Sequence, residues 1–442
     1  MSIIMITGTP AWGEKPVEST MLNGMLAFFS PHVDINIYGA LYPKDSPLEP
    51  SEYHLKGDAT LELTRNLSDT TFIRLAPRLN FDSVLTKGSQ LFVEDREYRP
   101  AFTLHEAVIS WYGDQMEIEI GKMIHSWKTA DGSSPLDTLN PVDRLDFLEP
   151  EKIGVPSLSV LTLFETFQVQ AVLLPFFVPD RLPDETNRWL SFNTESKQAF
   201  KNRFGLDPVS VDEGRDLPKN KLDRMSFAAR ASTSTLFTNW DLSLVYQYGY
   251  DTAGVYATRI NFLTLPNVYQ TTEYPDYDLF GISFSTIAGD MEIHGEAGFH
   301  DTRDNLKDED YLAYVVGINY TAYDWLTNWF EEIRIIMEFA GQEVTREREK
   351  GSLYADRGLS RGLTSNIISS LEFKIDEDTT IKTGYIFNTV DNDSLADIQF
   401  DYKFNGHTSI VCGYQHLSGD SDTFFGQWDD NDKFYTKLTI QF

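Results

Sequence analysis

The last ten residues alternate. Phe434, Thr436, Leu438, Ile440 and Phe442 fall on one side of an extended chain, and Tyr435, Lys437, Thr439 and Gln441 on the other. Side chains of a strand point to its two faces in turn, so the run predicts a strand with one apolar and one polar face. The pattern recurs upstream. Met116, Ile118 and Ile120 oppose Glu117 and Glu119; Met291, Ile293, Gly295, Ala297 and Phe299 oppose Glu292, His294, Glu296 and His300. Ile333, Ile335, Met337 and Phe339 oppose Glu332, Arg334 and Glu338; Leu371, Phe373 and Ile375 oppose Glu372 and Lys374. Ile398, Phe400, Tyr402 and Phe404 oppose Gln399, Asp401 and Lys403.

Tight turns rich in Gly, Asn and Asp separate many of these runs, at 67–70, 113–115, 238–239, 289–290, 376–378 and 405–406. Such turns are hairpin chemistry. Much longer polar segments join one hairpin to the next, at 82–101, 127–156, 175–223, 251–277, 343–363 and 417–432. Short turns at one end and long loops at the other suit a membrane barrel; a soluble sandwich has no reason to sort its loops. One strand at 31–42, eight hairpins near 53–82, 102–126, 157–175, 224–250, 278–300, 310–342, 364–389 and 395–416, and a closing strand at 433–442 make about 18 strands, within a range of roughly 16–20. The segment 254–265 counts as loop, with a strand there as the alternative. The expected fold is all-β: a transmembrane, antiparallel, up-and-down barrel, with its apolar faces against lipid and its charges in a watery lumen. Tyrosines and tryptophans at 246, 248, 250, 311, 314, 320, 323, 325 and 329 fit interfacial girdles, although aromatic residues favour strands in any case.

Composition narrows the choice. The 442 residues hold 67 Asp and Glu against 37 Lys and Arg, a net charge of −30, which argues against nucleic acid as a partner. Aromatic residues at 13% and hydrophobic residues at 41% separate the chain from acidic disordered proteins. A single cysteine, Cys412, excludes a disulfide framework, and its place on an apolar face predicts an inert thiol. No apolar run reaches the roughly 20 residues of a spanning helix, so only strands are left to cross a membrane. Residues 1–13 look like the remnant of a secretory leader without its basic start, or else a loose first segment. Residues 14–442 are expected to form one barrel domain.

The terminal Phe442, the alternating strands and the long loops resemble the Gram-negative outer-membrane porin superfamily, and among its members the alginate-export-porin-like barrels. Ile120-Gly121-Lys122, Trp127 and Asp137-Thr138-Leu139-Asn140-Pro141-Val142-Asp143 resemble a segment of a poorly characterised group of proteobacterial barrel proteins, where a Gly commonly follows the Trp; here Lys128 stands there. The resemblance implies a location in the outer membrane, Phe442 as part of an assembly signal read by the barrel assembly machinery, contact with outer-membrane lipids, a monomer or trimer, and diffusion or export of a small solute or polymer.

The candidate functional residues are the charges on inward faces. Alternation sends Arg74, Arg78, Arg230, Arg334, Lys374, Lys382, Lys403 and Lys437 inward, with Glu62, Glu117, Glu119, Glu292, Glu296, Glu332, Glu338, Glu372 and Asp401. Charged rows inside a pore select ions by sign; the alternative is a network that only stiffens the wall. The segment 127–156 carries Pro135, Pro141, Pro150 and Pro156, an excess of acid, and its own packing residues Leu139, Leu145, Phe147 and Leu148. It is expected either to fold into the lumen, with its carboxylates facing Arg74, Arg78 and Arg230, or to stay outside as an ordinary loop. A short helix is expected at 195–204, capped by Thr194 and Gly205. Acid clusters at 301–310 and 420–432 lack EF-hand spacing and read as solvated loop charge. His105 and His125 lie on neighbouring strands without an identifiable nucleophile, and no hydrolase or phosphate-loop motif occurs, so no catalytic role, metal or cofactor is assigned. Inward Val108, Val172, Leu174, Ile336, Ile368 and Ile386 keep a carrier of hydrophobic compounds open as a rival reading, and the long loops a non-conducting surface receptor.

Overall fold

The structure is a computed structural model and describes residues 28–46, 51–83, 88–94, 98–183, 187–190, 210–219, 224–261, 267–323, 329–349 and 363–442. Eighteen strands form one antiparallel sheet. They are β1 (Ser30–Leu41), β2 (Tyr53–Asn66), β3 (Thr71–Asp82), β4 (Phe102–Tyr112), β5 (Met116–Met123), β8 (Val155–Leu163), β9 (Gln168–Leu174), β11 (Ser226–Thr233), β12 (Trp240–Tyr250), β15 (Asp276–Ala288), β16 (Met291–Thr302), β17 (Asp310–Ala322), β18 (Glu332–Arg346), β19 (Ser365–Lys374), β20 (Thr379–Asn388), β21 (Ser394–Asn405), β22 (Thr408–Ser418) and β23 (Lys433–Gln441). Each pairs with its neighbour in this order, and β23 pairs with β1 from Asp34 opposite Gln441 to Leu41 opposite Phe434. The sheet is therefore a closed barrel with no open edge, as a sheet this long requires. Phe442 completes the seam: its N–H donates to the Val33 carbonyl at 3.0 Å and its carbonyl accepts from the Val33 N–H at 3.1 Å.

Register carries the alternation round the wall. Glu296 lies opposite Ser283 and Val315, and Glu338 opposite Gly317 and Ile368, so one face collects the charges. The other face presents Ile37, Leu55, Ile109, Ile120, Leu244, Phe280, Ile282, Val316, Met337, Ile398, Phe400 and Phe434, all large, apolar and exposed. An exposed apolar band of that extent is no surface for water; it is the lipid-facing wall of a membrane barrel. Tyr246 and Tyr248 stand on this outer face close to the long-loop rim, where the Tyr246 hydroxyl donates to Asp278 at 2.7 Å and Arg303 covers the Tyr248 ring at 4.3 Å. Tyr311 departs from the expected girdle: it stacks on the inward ring of His300, centroids 4.3 Å apart. Cys412 is outward and exposed.

The five remaining strands among the described residues lie off the wall in two small sheets. β6 (Val142–Asp143) pairs with β7 (Glu151–Lys152) inside the segment 127–156. β10 (Ser210–Asp216), β13 (Val255–Asn261) and β14 (Asn267–Glu273) form a three-stranded sheet, so 255–261 is a strand rather than the expected loop. The expected helix at 195–204, the possible leader at 1–13 and Trp325 lie outside the described residues.

The barrel has an interior core. Trp127, Leu136, Leu139 and Ile153 of the long segment pack with inward Val172, Leu174, Val245 and Leu279. Tyr38, Ala40, Leu417 and Tyr435 of the wall pack with Trp189, Phe425 and Trp428, joined by Phe147 and Leu148. Ala130 packs with Val315, Ala340 and Ile368. Both the wall and the chain filling it thus bury apolar surface inside a cylinder whose outside is also apolar.

Candidate functional site

The site is the inner wall together with the segment folded against it. β5 bends at Gly121, two residues before it ends at Met123; φ there is +144° and a Cβ would sit 1.9 Å from the Ala107 carbonyl oxygen, so no other residue fits. The turn sends Lys122 inward although it stands one place out of the inward series. Its fully buried ammonium meets Glu94, and Glu94 also takes Arg181. Asn140 then fastens the root: its amide donates to the carbonyls of Met123 at 3.1 Å and Ile153 at 2.8 Å, and its oxygen accepts from the His125 N–H at 2.7 Å. The Trp127 indole donates to Gln170 at 2.9 Å, while its backbone N–H donates to Asp137.

From this root the segment crosses the lumen. On one side two wall carboxylates grip its backbone. Glu296 accepts from the N–H groups of Thr129, Ala130 (2.9 Å) and Leu136 (3.3 Å) and from the Ser134 hydroxyl (2.6 Å). Glu338 accepts from the N–H of Asp131 at 2.7 Å and of Gly132 at 2.9 Å, and shares a 2.9 Å hydrogen bond with His294. On the far side Asp146 is buried against Lys433, 3.1 Å away, and Lys56, 3.4 Å away. Burial pushes the Asp146 carboxyl up, but the two ammonium groups outweigh it and hold it well below the usual carboxylate range. Asp143 joins Arg99 at 3.1 Å and Arg181 at 2.9 Å.

The expectation that acids of this segment face Arg74, Arg78 and Arg230 needs correction. Of the three, Arg78 makes the ion pair, with Glu151, whose carboxyl burial raises and Arg78 more than restores, to below its ordinary range. Arg74 instead pairs with Glu106 of the adjacent strand at 2.9 Å, and Arg230 donates to the Ser243 hydroxyl at 3.0 and 3.2 Å. Each partner is a diagonal neighbour on the adjacent strand, two places from the residue directly opposite.

Towards the short-turn end the wall charges are more open. Lys382 reaches Asp401 at 3.3 Å and Glu372 at 4.0 Å; Lys374 reaches Glu331 at 3.4 Å; Arg334 lies 3.7 Å from Asp131. The side chains of Arg74, Arg334 and Lys374 are 37–39% exposed. Glu119 accepts from Ser110 at 3.0 Å and Glu292 from Ser285 at 2.9 Å. Glu117, Lys403, Glu62, Glu332 and Lys437 occupy inward register positions as well. A groove of about 1020 Å³ wraps the rim at this end, lined by Glu292, Asn319 and Arg334 of the inner face and by Met291, Tyr320 and Ile335 of the outer. The inward charges thus divide: Glu296 and Glu338 are anchors for the inner segment, and the lower set faces open space.

The acid clusters in the loops are tied locally. Asp310 pairs with Arg346 at 2.6 Å and accepts from the Thr302 N–H; Asp432 accepts from the Leu417 N–H and lies 3.0 Å from the His416 ring. His125 is buried with Nε2 2.9 Å from the Ser157 hydroxyl. Burial, with Lys152 nearby, pushes its pKa down to about 4.

No family model and no curated protein matches the chain. Solved structures similar to it include a variant of the porin of Rhodopseudomonas blastica, 9% identical over 94% of this chain and 99% of that one with a TM-score of 0.41. A loop-deletion mutant of OmpT, an outer membrane protein of Vibrio cholerae, is 8% identical over 94% of this chain and 99% of that one with a TM-score of 0.43. The strand register of the chain itself carries the fold. By closure, strand count, an apolar outer wall and a charged inner one, the chain is a transmembrane antiparallel β-barrel of the outer-membrane kind.

Proposed function

We propose that the protein is a porin-like channel of the Gram-negative outer membrane that passes small polar or charged solutes through a lumen narrowed by its own inner segment. One observation carries the reading: a charged wall stays open towards the short turns and leads to a constriction that Glu296, Glu338 and Asp146 hold in place. Opposed charges along such a path orient polar solutes and reject apolar ones. Sign selectivity is assigned to the wall set Arg74, Glu117, Glu119, Glu292, Arg334, Glu372, Lys374, Lys382, Asp401 and Lys403, with Arg78 and Arg230 beside the inner segment. The carrier of hydrophobic compounds is the weaker reading, because Val172, Leu174 and Ile368 are covered by packing with the inner segment or its neighbours. Single-channel recording in planar bilayers tests the proposal. Stepwise ion conductance with a sign preference supports it; silence at every voltage and salt concentration refutes it.

A further inference from the structure

We infer that Asp131, His294 and Glu338 form a divalent metal site that pins the inner segment to the barrel wall. His294 on β16 and Glu338 on β18 lie on either side of Gly317 on β17, each directly opposite it in register. Two strand spacings separate their backbones, roughly 10 Å. Their side chains meet only because the position between them is glycine: a Cβ there would lie 2.6 Å from both His294 Nε2 and Glu338 Cγ. Asp131 arrives from the inner segment and completes the group, with one ligand atom from each residue lying within 4.8 Å of the others. Ligand atoms about 2.1 Å from a tetrahedral ion stand about 3.4 Å apart, so closure onto an ion needs shifts of about 1 Å.

The ring of His294 presents Nε2 to Glu338 across Gly317. His294 is fully enclosed, and its Nδ1 has no hydrogen-bond partner among the described residues. A metal bond at Nε2 takes the place of the hydrogen bond to Glu338 and leaves the ring proton on the enclosed Nδ1. The surroundings are acidic as well. Glu292 and Glu296 flank His294 on the inner face of the same strand, and the cation facing Asp131 is Arg334 at 3.7 Å, whose side chain is 39% exposed. Two converging carboxylates beside an imidazole attract a doubly charged ion. One nitrogen and two oxygen donors suit a first-row divalent metal such as zinc, with water filling the open position. Two ligands belong to the wall and one to the segment, so binding an ion fixes the segment against the wall, and its affinity depends on the segment being seated.

Cobalt(II) titrated into the intact barrel in detergent tests the site, and the readout is independent of conductance. The expected result is a visible absorption band of four- or five-coordinate cobalt that saturates at one ion per chain and is displaced by zinc. H294A is expected to abolish the saturable band. Because a buried histidine can matter for folding, D131N is the second variant: its carboxylate is partly exposed and outside the wall, and it is expected to weaken cobalt binding about tenfold or more while the barrel keeps its resistance to heat. No saturable band in the unaltered protein, or an equal band in D131N and H294A, overturns the site and leaves the channel reading untouched.

Discussion

Replacing Glu296 by glutamine tests what holds the inner segment. The carboxylate is buried and accepts four hydrogen bonds, two on each oxygen, three of them from backbone N–H groups. A carboxamide keeps one oxygen and presents an NH2 group in place of the other. If the oxygen faces Thr129 and Ala130, the NH2 group faces the Leu136 N–H and leaves that donor orphaned; the Ser134 hydroxyl turns round to accept. The reverse orientation orphans two donors. Hydrogen bonds to a charged acceptor contribute about 1.5–3 kcal/mol and an orphaned buried donor costs about 1–3 kcal/mol, so E296Q should loosen the segment by about 3–5 kcal/mol. At 1.4 kcal/mol per tenfold, the detached population rises at least about a hundredfold. The wall keeps its strand ladders, so the heat resistance of the barrel should barely change. Hydrogen exchange read by mass spectrometry on peptides covering 127–140 is the direct assay, with peptides from β16 and β17 as internal controls. Faster exchange confined to the inner segment, with larger and noisier conductance, is expected. Unchanged protection of 129–136 would refute the anchoring argument, and general loss of protection would show that Glu296 holds the wall instead.

Deleting residues 130–150 should raise conductance severalfold in bilayer recordings without preventing assembly, and R78E should shift selectivity towards cations by removing the arginine that pairs with Glu151. Ile335→Arg or Phe373→Arg, on the outer face, should cost about 2–4 kcal/mol near the midplane in a denaturant titration, whereas inward Lys374→Met should cost much less; equal costs would place water on both faces. His125 is neutral when packed, because burial lowers its pKa from 6.5 to about 4. A released His125 takes up a proton below about pH 6.5, so the detached state binds more protons between pH 6.5 and 4 and packing weakens as pH falls through that window, by at most roughly 3 kcal/mol. Exchange of peptides around 124–141 should quicken on acidification in the unaltered protein and much less in H125Q.

The wall was legible in the sequence because its signal is local. Period-two alternation names the faces, the hairpin turns name the pairs, and 18 strands with eight hairpins follow from those two facts; the observed ladders have the same order. Fate inside the lumen is not local. Glu292, Glu296, Glu332 and Glu338 are indistinguishable as inward acids in the sequence, yet Glu296 and Glu338 are buried under backbone donors that come from more than 150 residues away. Proline, acid and leucine in 127–156 left a lumenal segment and an ordinary external loop both open, and which wall residues receive it depends on the curvature of the closed sheet. Lys122 carried a readable sign: a lysine at lipid-facing parity directly after a glycine marks the place where the strand turns inward. The three-stranded sheet of β10, β13 and β14 joins segments about 50 residues apart, with β10 parallel to β14, and no hairpin signal announces such a pairing.

The inward apolar residues connect the architecture to the choice between functions. A lumen lined by Val172, Leu174, Val245, Leu279 and Ile368 would by itself suit a greasy solute. Each instead has a partner in the interior clusters: Trp127, Leu136 and Leu139 against the first four, and Ala130 against Ile368. Burying those side chains supplies the hydrophobic gain that a membrane barrel cannot obtain from its lipid-facing wall, where lipid is as apolar as the residues it meets. The same packing removes the apolar path, and it leaves the charged positions nearer the short turns as the surface a solute meets. A carrier of hydrophobic compounds would have to expel the inner segment, breaking the Glu296, Glu338 and Asp146 anchors together with the apolar contacts. A conducting pore needs only the space those anchors leave open.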